Sequence, residues 1–560
     1  YGYGIYIGNT TAYFVVRNNH IYNASGVDWW PYYYDSGIIL YNVTNGIVEN
    51  NTVSNCSRDG ISLFSSNSVL VKNNDVTNTL NWGIEIYSSH LNTITENYLS
   101  GNAWAGISVC ASTNNLITNN YCSGNSDGIY LLSSFNNTIM NNTCSDNSDT
   151  GILLYYSSNN TIINNNCSGN SYYGIYLYYY SGNNTITNNT CSGNSDTGIL
   201  LYSAGDNTIT NNNCSGNSYS GMWLYNASSN NTIQNNTCSW NSGYGLFLYS
   251  SPQNTITNNN CSGNSYYGIW LYSSNNNRIT SNKLWNDGIG IYGELLEHWN
   301  THVIENNTVN GKVVYYYKNL TGGTVPSDAG QVILANCTNM VVSGLNISNA
   351  SVGISLGFST HSTITHTVCS NNSLYGIFLS TSHNNTITNN NCSGNSRYGI
   401  ALYWYSNNNT ITNNNCSGNS WYGIRIYYSS NNTIAYNSIT DNTGYGVYIT
   451  NSSTGNCIHH NNFINNNAGG KQGYDSVGGN YWDDSTAGNY WSDWTTPDNN
   501  GDGIVDIPYV LDGGAGAQDN YPLTNQVSVS ETSGLFGYLI MIAAGLLVSS
   551  RIGRRKNWRV

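Results

Sequence analysis

Residues 167–189, CSGNSYYGIYLYYYSGNNTITNN, recur as close copies along most of this 560-residue chain, and that repeat limits the fold more than any single residue does. The glycine of the G-I-Y-L core falls at Gly37, Gly60, Gly83, Gly106, Gly128, Gly151, Gly174, Gly198, Gly221, Gly245 and Gly268, in steps of 22 to 24 residues. It returns at Gly376, Gly399, Gly423 and Gly446. Units of this size cannot bury a core alone and must stack, so the chain is expected to grow in one dimension and escape the size limit of a single core.

Inside the unit, Ile175 and Leu177 alternate with Tyr176 and Tyr178, Thr185-Ile186-Thr187 alternates again, and Cys191 supplies a third inward position. Alternation of period two marks strands with one buried face. Three short strands joined by Ser, Gly and Asn turns predict an all-β fold, a right-handed parallel β-helix with about 23 residues per coil. Roughly twenty coils at the inter-strand spacing of about 4.8 Å predict a rod on the order of 90 to 100 Å.

The paired asparagines after each T-I-T strand, such as Asn119 with Asn120 and Asn188 with Asn189, fall at one corner. Asn tolerates left-handed backbone and its amide can bond the coils above and below, so these pairs read as structural. Cys122, Cys144, Cys167, Cys191, Cys214, Cys238 and Cys261, then Cys369, Cys392 and Cys416, keep the same register. Parallel ladder side chains hold their Cβ atoms near 4.8 Å, wider than the roughly 3.8 Å of a disulfide. Buried thiols are expected there, with a thiolate metal ladder or redox pairs as the other possibility.

The expected organisation is β-helix repeats over 1–286, an irregular insertion or degenerate coils over 287–368, and repeats again over 369–466. A cap follows over 467–526, then a linker over 527–533. Residues 534–550 form an almost uncharged apolar run, long enough to cross a bilayer as one helix, and 551–560 carry Arg551, Arg554, Arg555, Lys556 and Arg559. The positive-inside rule makes that tail cytoplasmic and places the repeats on the extracellular face of the membrane. The chain starts at Tyr1 without Met and reads as a processed or truncated product.

A net charge of −13, with only 8% of residues charged, offers no basic stripe for a phosphate backbone, which excludes nucleic acid as the expected partner. Sequons such as Asn166-Cys167-Ser168 and Asn183-Asn184-Thr185 would mark glycan acceptors in a secreted chain, or simply good turns.

The strongest chemical motif is DNNGDGIVD at 498–506. It matches the first nine positions of an EF-hand-type Ca²⁺ loop, with oxygens from Asp498, Asn500 and Asp502, a turn at Gly503, the carbonyl of Ile504, and Asp506 at the ninth place. Position twelve is Tyr509 rather than Glu, so Asp512 or Asp519 would have to complete the shell. A structural calcium ion would lock a cap in which Tyr481, Trp482, Tyr490, Trp491 and Trp494 cover the last coil.

Outward on the G-I-Y-L strand stand Tyr176, Trp223, Phe247, Trp270 and Phe378 in one column, and Tyr178, Tyr202, Tyr225, Tyr249, Tyr272, Tyr403 and Tyr427 in the next. An apolar stripe of that size is seldom left exposed by a soluble monomer. It suits sugar rings of a polysaccharide or glycan, lateral self-association with a sister rod, or no more than the β-propensity of tyrosine. For catalysis, a glycosidase needs two carboxylates about 5 to 9 Å apart. Asp127 and Asp149, on equivalent turns of adjacent coils, are the weak candidates, and Arg58, Asp59 and Glu85 make a second cluster.

The segments NGKVVYYYKN (310–319), DAGQVIL (328–334), GNYWSDWTTPDNNGDGIVDIPYV (488–510) and DNYPLT (519–524) resemble stretches of archaeal NosD-like proteins. That resemblance implies the carbohydrate-binding and sugar-hydrolysis class of β-helices, whose fold is shared with pectate lyases. It also brings in copper handling, since NosD proteins assist copper loading of a reductase. Here 4 Met and 9 His form no Met-rich or spaced His cluster, and Cys457, His459 and His460 are the only soft-ligand group close in sequence. Alternation puts Cys457 and His459 on one face, where a metal site or a core Cys beside a turn histidine would each fit.

The function expected is a non-catalytic surface β-helix, an adhesin or envelope component that binds carbohydrate. The alternatives are a polysaccharide lyase or glycoside hydrolase, a NosD-like copper-handling protein, and a self-assembling surface protein.

Overall fold

The computed structural model describes residues 2–25 and 35–529. They form an all-β parallel solenoid of about 19 turns with about 23 residues per coil. The first part is built on two 13-stranded sheets, one running from Ile5–Thr10 to Ile289–Tyr292 and the other from Phe14–Arg17 to Val303–Glu305. The third side carries the cysteines. It is a 5-stranded sheet ending at Tyr121–Ser123, continued by single bridges such as Asn166↔Thr190. The register is strict: Ile152 pairs with Ile175 and Ile175 with Ile199.

Ile175, Leu177, Ile186 and Cys191 are fully buried, as are their equivalents in successive coils. Each such aliphatic side chain contributes on the order of 1.5 to 3 kcal/mol. The marker glycine has a packing reason: a Cβ on Gly174 would lie 2.6 Å from the carbonyl oxygen of Gly198 and 2.8 Å from that of Cys167. All 14 cysteines are free thiols, and all but Cys457 are buried. Burial pushes Cys369 well above the usual thiol range, whereas in the unbroken run of the first solenoid hydrogen bonds from neighbouring thiols outweigh burial and bring Cys144 and Cys191 down to about 6.

Of each asparagine pair, the first takes the left-handed corner, with φ near 56° at Asn188, and the second turns into the core. Asn165 donates to Asn189 Oδ1 at 3.0 Å, and Asn189 donates to Asn212 Oδ1 at 3.0 Å and to the carbonyl of Ile162 at 3.0 Å. Two further buried ladders run parallel, one through Asn160, Asn184 and Asn207 and one through Asn170, Asn194 and Asn217. Ladders of this kind need a final acceptor with no onward donor. Asp287 ends one of them, accepting from Asn264 N and Nδ2 at 2.9 Å each.

The molecule is not one straight rod. After Thr308–Val309 the chain reverses, and Lys312–Lys318 pairs with it antiparallel. The third side of the first solenoid thereby becomes the first strands of a 10-stranded sheet that carries the G-I-Y-L strands of the second solenoid, ending at Gly473–Asp475. The outward face of that sheet closes the end of the first solenoid. Gln331 accepts from Ile289 N at 2.9 Å and donates to its carbonyl at 2.8 Å. Trp299, fully buried, lies against Gly357, where a Cβ would sit 2.1 Å from the indole. Residues 329–370 are regular coils of this second solenoid.

At the far end, Trp491 stacks between Phe463 and Tyr509, with centroids 4.2 and 4.0 Å away, and Trp482 is buried beside them. Tyr481, expected in this cap, is instead 63% exposed. The apolar run 534–550 and the basic tail lie outside the described residues. Among the described residues no helix is long and apolar enough to cross a membrane.

Candidate functional site

The aromatic columns do face outward. Tyr155, Tyr178, Tyr202, Tyr225, Tyr249, Tyr272 and Tyr292 form one continuous ladder, with neighbouring centroids 4.9 to 5.3 Å apart. Beside it, Trp223 stacks on Phe247 at 5.6 Å, and Trp270 on Tyr267 at 4.3 Å. Tyr176, against Tyr178 at 5.2 Å, begins this second column. The columns are half-buried rather than open because successive rings pack on one another, and near Tyr266 and Trp270 the outward face of the second solenoid also approaches them.

The convergence is direct. Ser373 Oγ donates to the carbonyl of Tyr266 at 3.1 Å, and Arg397 lies over the ring of Tyr266 at 5.2 Å and of Trp421 at 5.3 Å. Between the two faces lies a cleft of about 260 Å³, lined by Tyr244, Tyr266, Tyr267, Trp270, Tyr272 and Tyr292 on one wall and Leu374, Tyr375, Phe378, Arg397 and Tyr403 on the other. Arg425 stands further along the second face over Tyr448 at 4.4 Å, with Nη2 on Thr450 Oγ1 at 2.7 Å. Among the described residues neither Arg397 nor Arg425 enters an ion pair with a carboxylate. Of the aromatic residues singled out from the sequence, Trp270 and Tyr272 enter the cleft, while Tyr176, Tyr178, Tyr202, Trp223, Tyr225, Phe247 and Tyr249 extend the wall away from it. Arg397 was not foreseen. Its signal was a charged residue in the S-x-Y-G turn of one repeat only, S-R-Y-G at 396–399.

Trp240 was also missed. It stands where other copies have the glycine of C-S-G-N-S, takes φ 60°, and is 71% exposed, with its ring over Gly263. A bulky residue in the left-handed region is strained, and the exposed indole makes a second aromatic platform.

The first pair of carboxylate candidates is brought together through one threonine. Asp127 accepts from the Thr150 amide at 3.1 Å, and the hydroxyl of the same Thr150 donates to Asp149 at 3.1 Å. Burial, then the neighbouring Asp149, push Asp127 up to about 7 against the Thr150 amide. No Lys, Arg or His forms an ion pair with either among the described residues. Asp59 is fully buried and accepts from Ser62 Oγ at 2.9 Å and Asn81 Nδ2 at 2.8 Å. Arg58 approaches Asp59 at 3.3 Å and Glu85 at 3.7 Å. Burial, then Asp59, hold Glu85 well above the usual carboxylate range, with Arg58 opposing. Glu85 is 5% exposed.

In the 498–506 loop the side chains hold the backbone in tight turns. Asp498 accepts from Gly501 N at 2.7 Å and Gly503 N at 3.1 Å, and Asp502 from Ile504 N at 2.9 Å. Asn500 accepts from Asp502 N at 3.1 Å. Asp506 Oδ2 is engaged by Asn499, through N at 2.8 Å and Nδ2 at 2.6 Å. Neither proposed helper faces the loop. Asp519 is buried, accepting from Asn489 N at 2.7 Å and Trp491 Nε1 at 2.9 Å, and Asp512 accepts from Tyr445 at 3.1 Å.

A different group does converge. Among the described residues the only three imidazole, thiol or carboxylate ligands brought within 4.8 Å of one another are His459, His460 and Asp484. The two Nδ1 atoms are 2.8 Å apart, and Asp484 Oδ2 lies 3.9 and 3.8 Å from them. Burial, then His460, push His459 below its usual value, with Asp484 opposing. Burial alone would raise Asp484, but the Thr486 hydroxyl, the amides of Ala487 and Thr486, and His459 bring it down to about 2. Cys457 shares the outward face with His459, as alternation required, but its thiol meets the Asp483 carbonyl at 3.8 Å and stays out of the group.

The family profile described as the right-handed β-helix region matches residues 1–112, 36–191 and 179–326, which together span 1–326, more than half of the 560 residues. The chain belongs to the right-handed β-helix family. Residues 317–496 of this β-helix protein match a second profile, that of the periplasmic copper-binding protein NosD. No curated protein matches in sequence. Among solved structures, the A-module of the mannuronan C-5 epimerase AlgE4 from Azotobacter vinelandii is similar at 16% identity, covering 48% of this chain and 86% of that one, with a TM-score of 0.37. The Dettilon tailspike protein is similar at 14% identity, over 58% of this chain and 59% of its own, with a TM-score of 0.32. The periplasmic alginate epimerase AlgG is similar at 12% identity, over 49% and 76%, with a TM-score of 0.31. Likeness at this level says nothing about chemistry.

Proposed function

We propose that this β-helix protein is a non-catalytic glycan-binding protein of the cell surface, held to the membrane through residues 534–550 with its repeats outside. The carrying observation is the cleft where two aromatic faces converge around Arg397. Half-buried rings such as Trp270 and Tyr272 offer stacking platforms for sugar faces, and the tyrosine hydroxyls of the walls supply hydrogen-bond partners. A guanidinium with no carboxylate partner favours a sugar that carries a carboxylate or sulfate.

A binding rather than catalytic role is supported by the carboxylates: among the described residues Asp127 and Asp149 form no ion pair with a basic side chain, and Asp59 and Glu85 are buried. Calcium at 498–506 would then rigidify the cap, and exposed acceptors such as Asn166 and Asn183 would carry glycans.

The test is a titration of the purified protein against neutral and acidic polysaccharides, with product analysis. Saturable binding of an acidic glycan, weakened by Trp270→Ala and Arg397→Ala, is expected without new reducing ends or unsaturated products. Cleavage products would establish the lyase or hydrolase alternative. Concentration-dependent sedimentation abolished by the same two substitutions would instead make the aromatic faces a self-association surface.

A further inference from the structure

The last regular coil ends in a departure from the repeat that the glycan reading does not use. In many coils the second strand has a central Ile followed, one residue on, by two asparagines, as in T-I-T-N-N at 185–189, whereas here C-I-H is followed by His460 and Asn461. His459 pairs with Ala435 on the outward face, and Asn461 keeps the inward ladder position, donating to Asn489 Oδ1 at 2.9 Å. His460 occupies the left-handed corner, with φ 54°. In an extended strand two successive side chains point to opposite faces. The corner abolishes that opposition and turns both imidazoles to one side, Nδ1 toward Nδ1 at 2.8 Å.

The carboxylate facing them comes from the cap, not from the solenoid. Asp484 Oδ1 is fixed by the Thr486 amide at 2.9 Å, the Thr486 hydroxyl at 2.6 Å and the Ala487 amide at 2.8 Å. That leaves Oδ2 aimed at the histidines. Tyr436, one coil below, stacks on His460 with centroids 5.0 Å apart and fixes its ring plane. Bound carboxylates and stacked rings of this kind are what hold metal ligands in place. The three side chains are 16, 22 and 32% exposed, which leaves an entry path and room for water ligands.

Distances and ligand chemistry agree. With metal–ligand bonds of about 2.0 to 2.2 Å, two ligands of one ion lie about 3.3 to 3.5 Å apart at tetrahedral angles and at most about 4.1 to 4.3 Å apart. The separations of 2.8, 3.8 and 3.9 Å fall inside that upper limit. Two imidazoles with one carboxylate suit borderline first-row divalent ions, while Ca²⁺ and Mg²⁺ require oxygen shells.

We propose that His459, His460 and Asp484 bind one divalent first-row transition ion of the zinc class, and that the ion clasps the 483–487 segment of the cap to the last coil. Both ends of the clasp are already ordered by the hydrogen bonds above, so binding requires only small rotations of three side chains.

Equilibrium dialysis of the full chain against Zn²⁺, with millimolar Ca²⁺ present throughout, tests the site. One Zn²⁺ per chain is expected, with affinity falling at least 10-fold in His460→Gln and in Asp484→Asn, and unchanged in His366→Gln, a histidine at the equivalent corner that meets only Thr365. Zn²⁺ should raise the thermal midpoint of the unaltered chain and not that of the two site variants. Should those variants fail to fold, one equivalent of Cu²⁺ on the unaltered chain serves as a probe, and its electron paramagnetic resonance should show coupling to two imidazole nitrogens. An absence of saturable Zn²⁺ binding, displacement by Ca²⁺, retention in the His459→Gln, His460→Gln double variant, or a Cu²⁺ spectrum with oxygen ligands alone would each overturn the proposal.

Discussion

The guanidinium of Arg397, on the second solenoid, lies 5.2 Å from the ring centroid of Tyr266, on the first. A stacked guanidinium of this kind is worth about 0.5 to 2 kcal/mol, and its fork of N–H donors, one of which serves the Tyr375 hydroxyl, is suited to an anion as well. Arg397→Ala is therefore expected to weaken binding of an acidic glycan by roughly 10-fold or more, at 1.5 to 3 kcal/mol per charge-assisted hydrogen bond. Neutral glycans should be affected far less. Calorimetric titration of both glycan types against both proteins makes the comparison, and equal losses would assign Arg397 to the walls rather than to the ligand.

Gly357 admits the indole of Trp299 where the two solenoids meet. Gly357→Ala places a methyl group inside a contact of 2.1 Å, so the indole or the sheet must shift. Overpacking of this kind costs about 1 to 3 kcal/mol. A lower thermal midpoint is expected, together with a larger radius of gyration in small-angle scattering as the arms are forced apart. Gly344→Ala is the comparison, since open space surrounds it at φ 69°: its backbone strain should lower the midpoint without changing the radius of gyration.

The two members of each asparagine pair should respond differently. Asn189→Ala removes the acceptor of Asn165 N and Nδ2 and opens the buried ladder on both sides. Buried groups left unsatisfied cost about 1 to 3 kcal/mol each. Asn188→Ala loses only a tolerated left-handed corner at φ 56°, and about 1 kcal/mol is expected from the strain. Chemical denaturation of the two variants gives the ranking directly.

Asp127 titrates near 7, pushed up by burial and Asp149. Its unfolded value is about 3.9. The folded state therefore holds the proton more tightly, and this carboxyl's contribution to stability is fully present below about pH 4 and lost as pH rises through about 7. Asp127→Asn removes the group. The stability of the variant relative to the unaltered chain should grow between pH 4 and pH 8, and a difference that is flat with pH would show the carboxyl to be solvated.

The coil was legible because alternation and the glycine step act locally. Ile175, Leu177, Ile186 and Cys191 all point inward, as their spacing requires, and the Asn188–Asn189 pair reveals its structural role by type alone. What the sequence did not carry was the reversal at residues 310–312. An N-G turn after Val309 reads as one more corner, and only the antiparallel pairing of Thr308 with Val313 shows that the second solenoid turns back toward the first. The meeting of Arg397 and Tyr266 depends on that reversal, so no periodicity could have joined them. For the same reason His459 and His460 were visible while Asp484 was not, since it reaches them from a loop outside the repeat.

In the 498–506 loop Asp506 is the residue on which calcium affinity should turn. Asp498, Asn500 and Asp502 hold the backbone in tight turns, but Asp506 Oδ2 is occupied by the Asn499 amide and side chain at 2.8 and 2.6 Å. An ion drawing on Asp506 must displace that side-chain bond, whose net worth is about 1.5 kcal/mol for a charged acceptor. Asn499→Ala removes the competitor without touching a proposed ligand, and a rise in Ca²⁺ affinity of roughly 10-fold follows from that figure. Asp502→Asn should lower it by weakening the charge of the shell. Calorimetry of the two variants against the unaltered protein, in the presence of Zn²⁺ to hold the histidine site constant, separates the effects. Equal affinities in all three would mean that the loop is an Asx-rich turn stabilised by its own backbone.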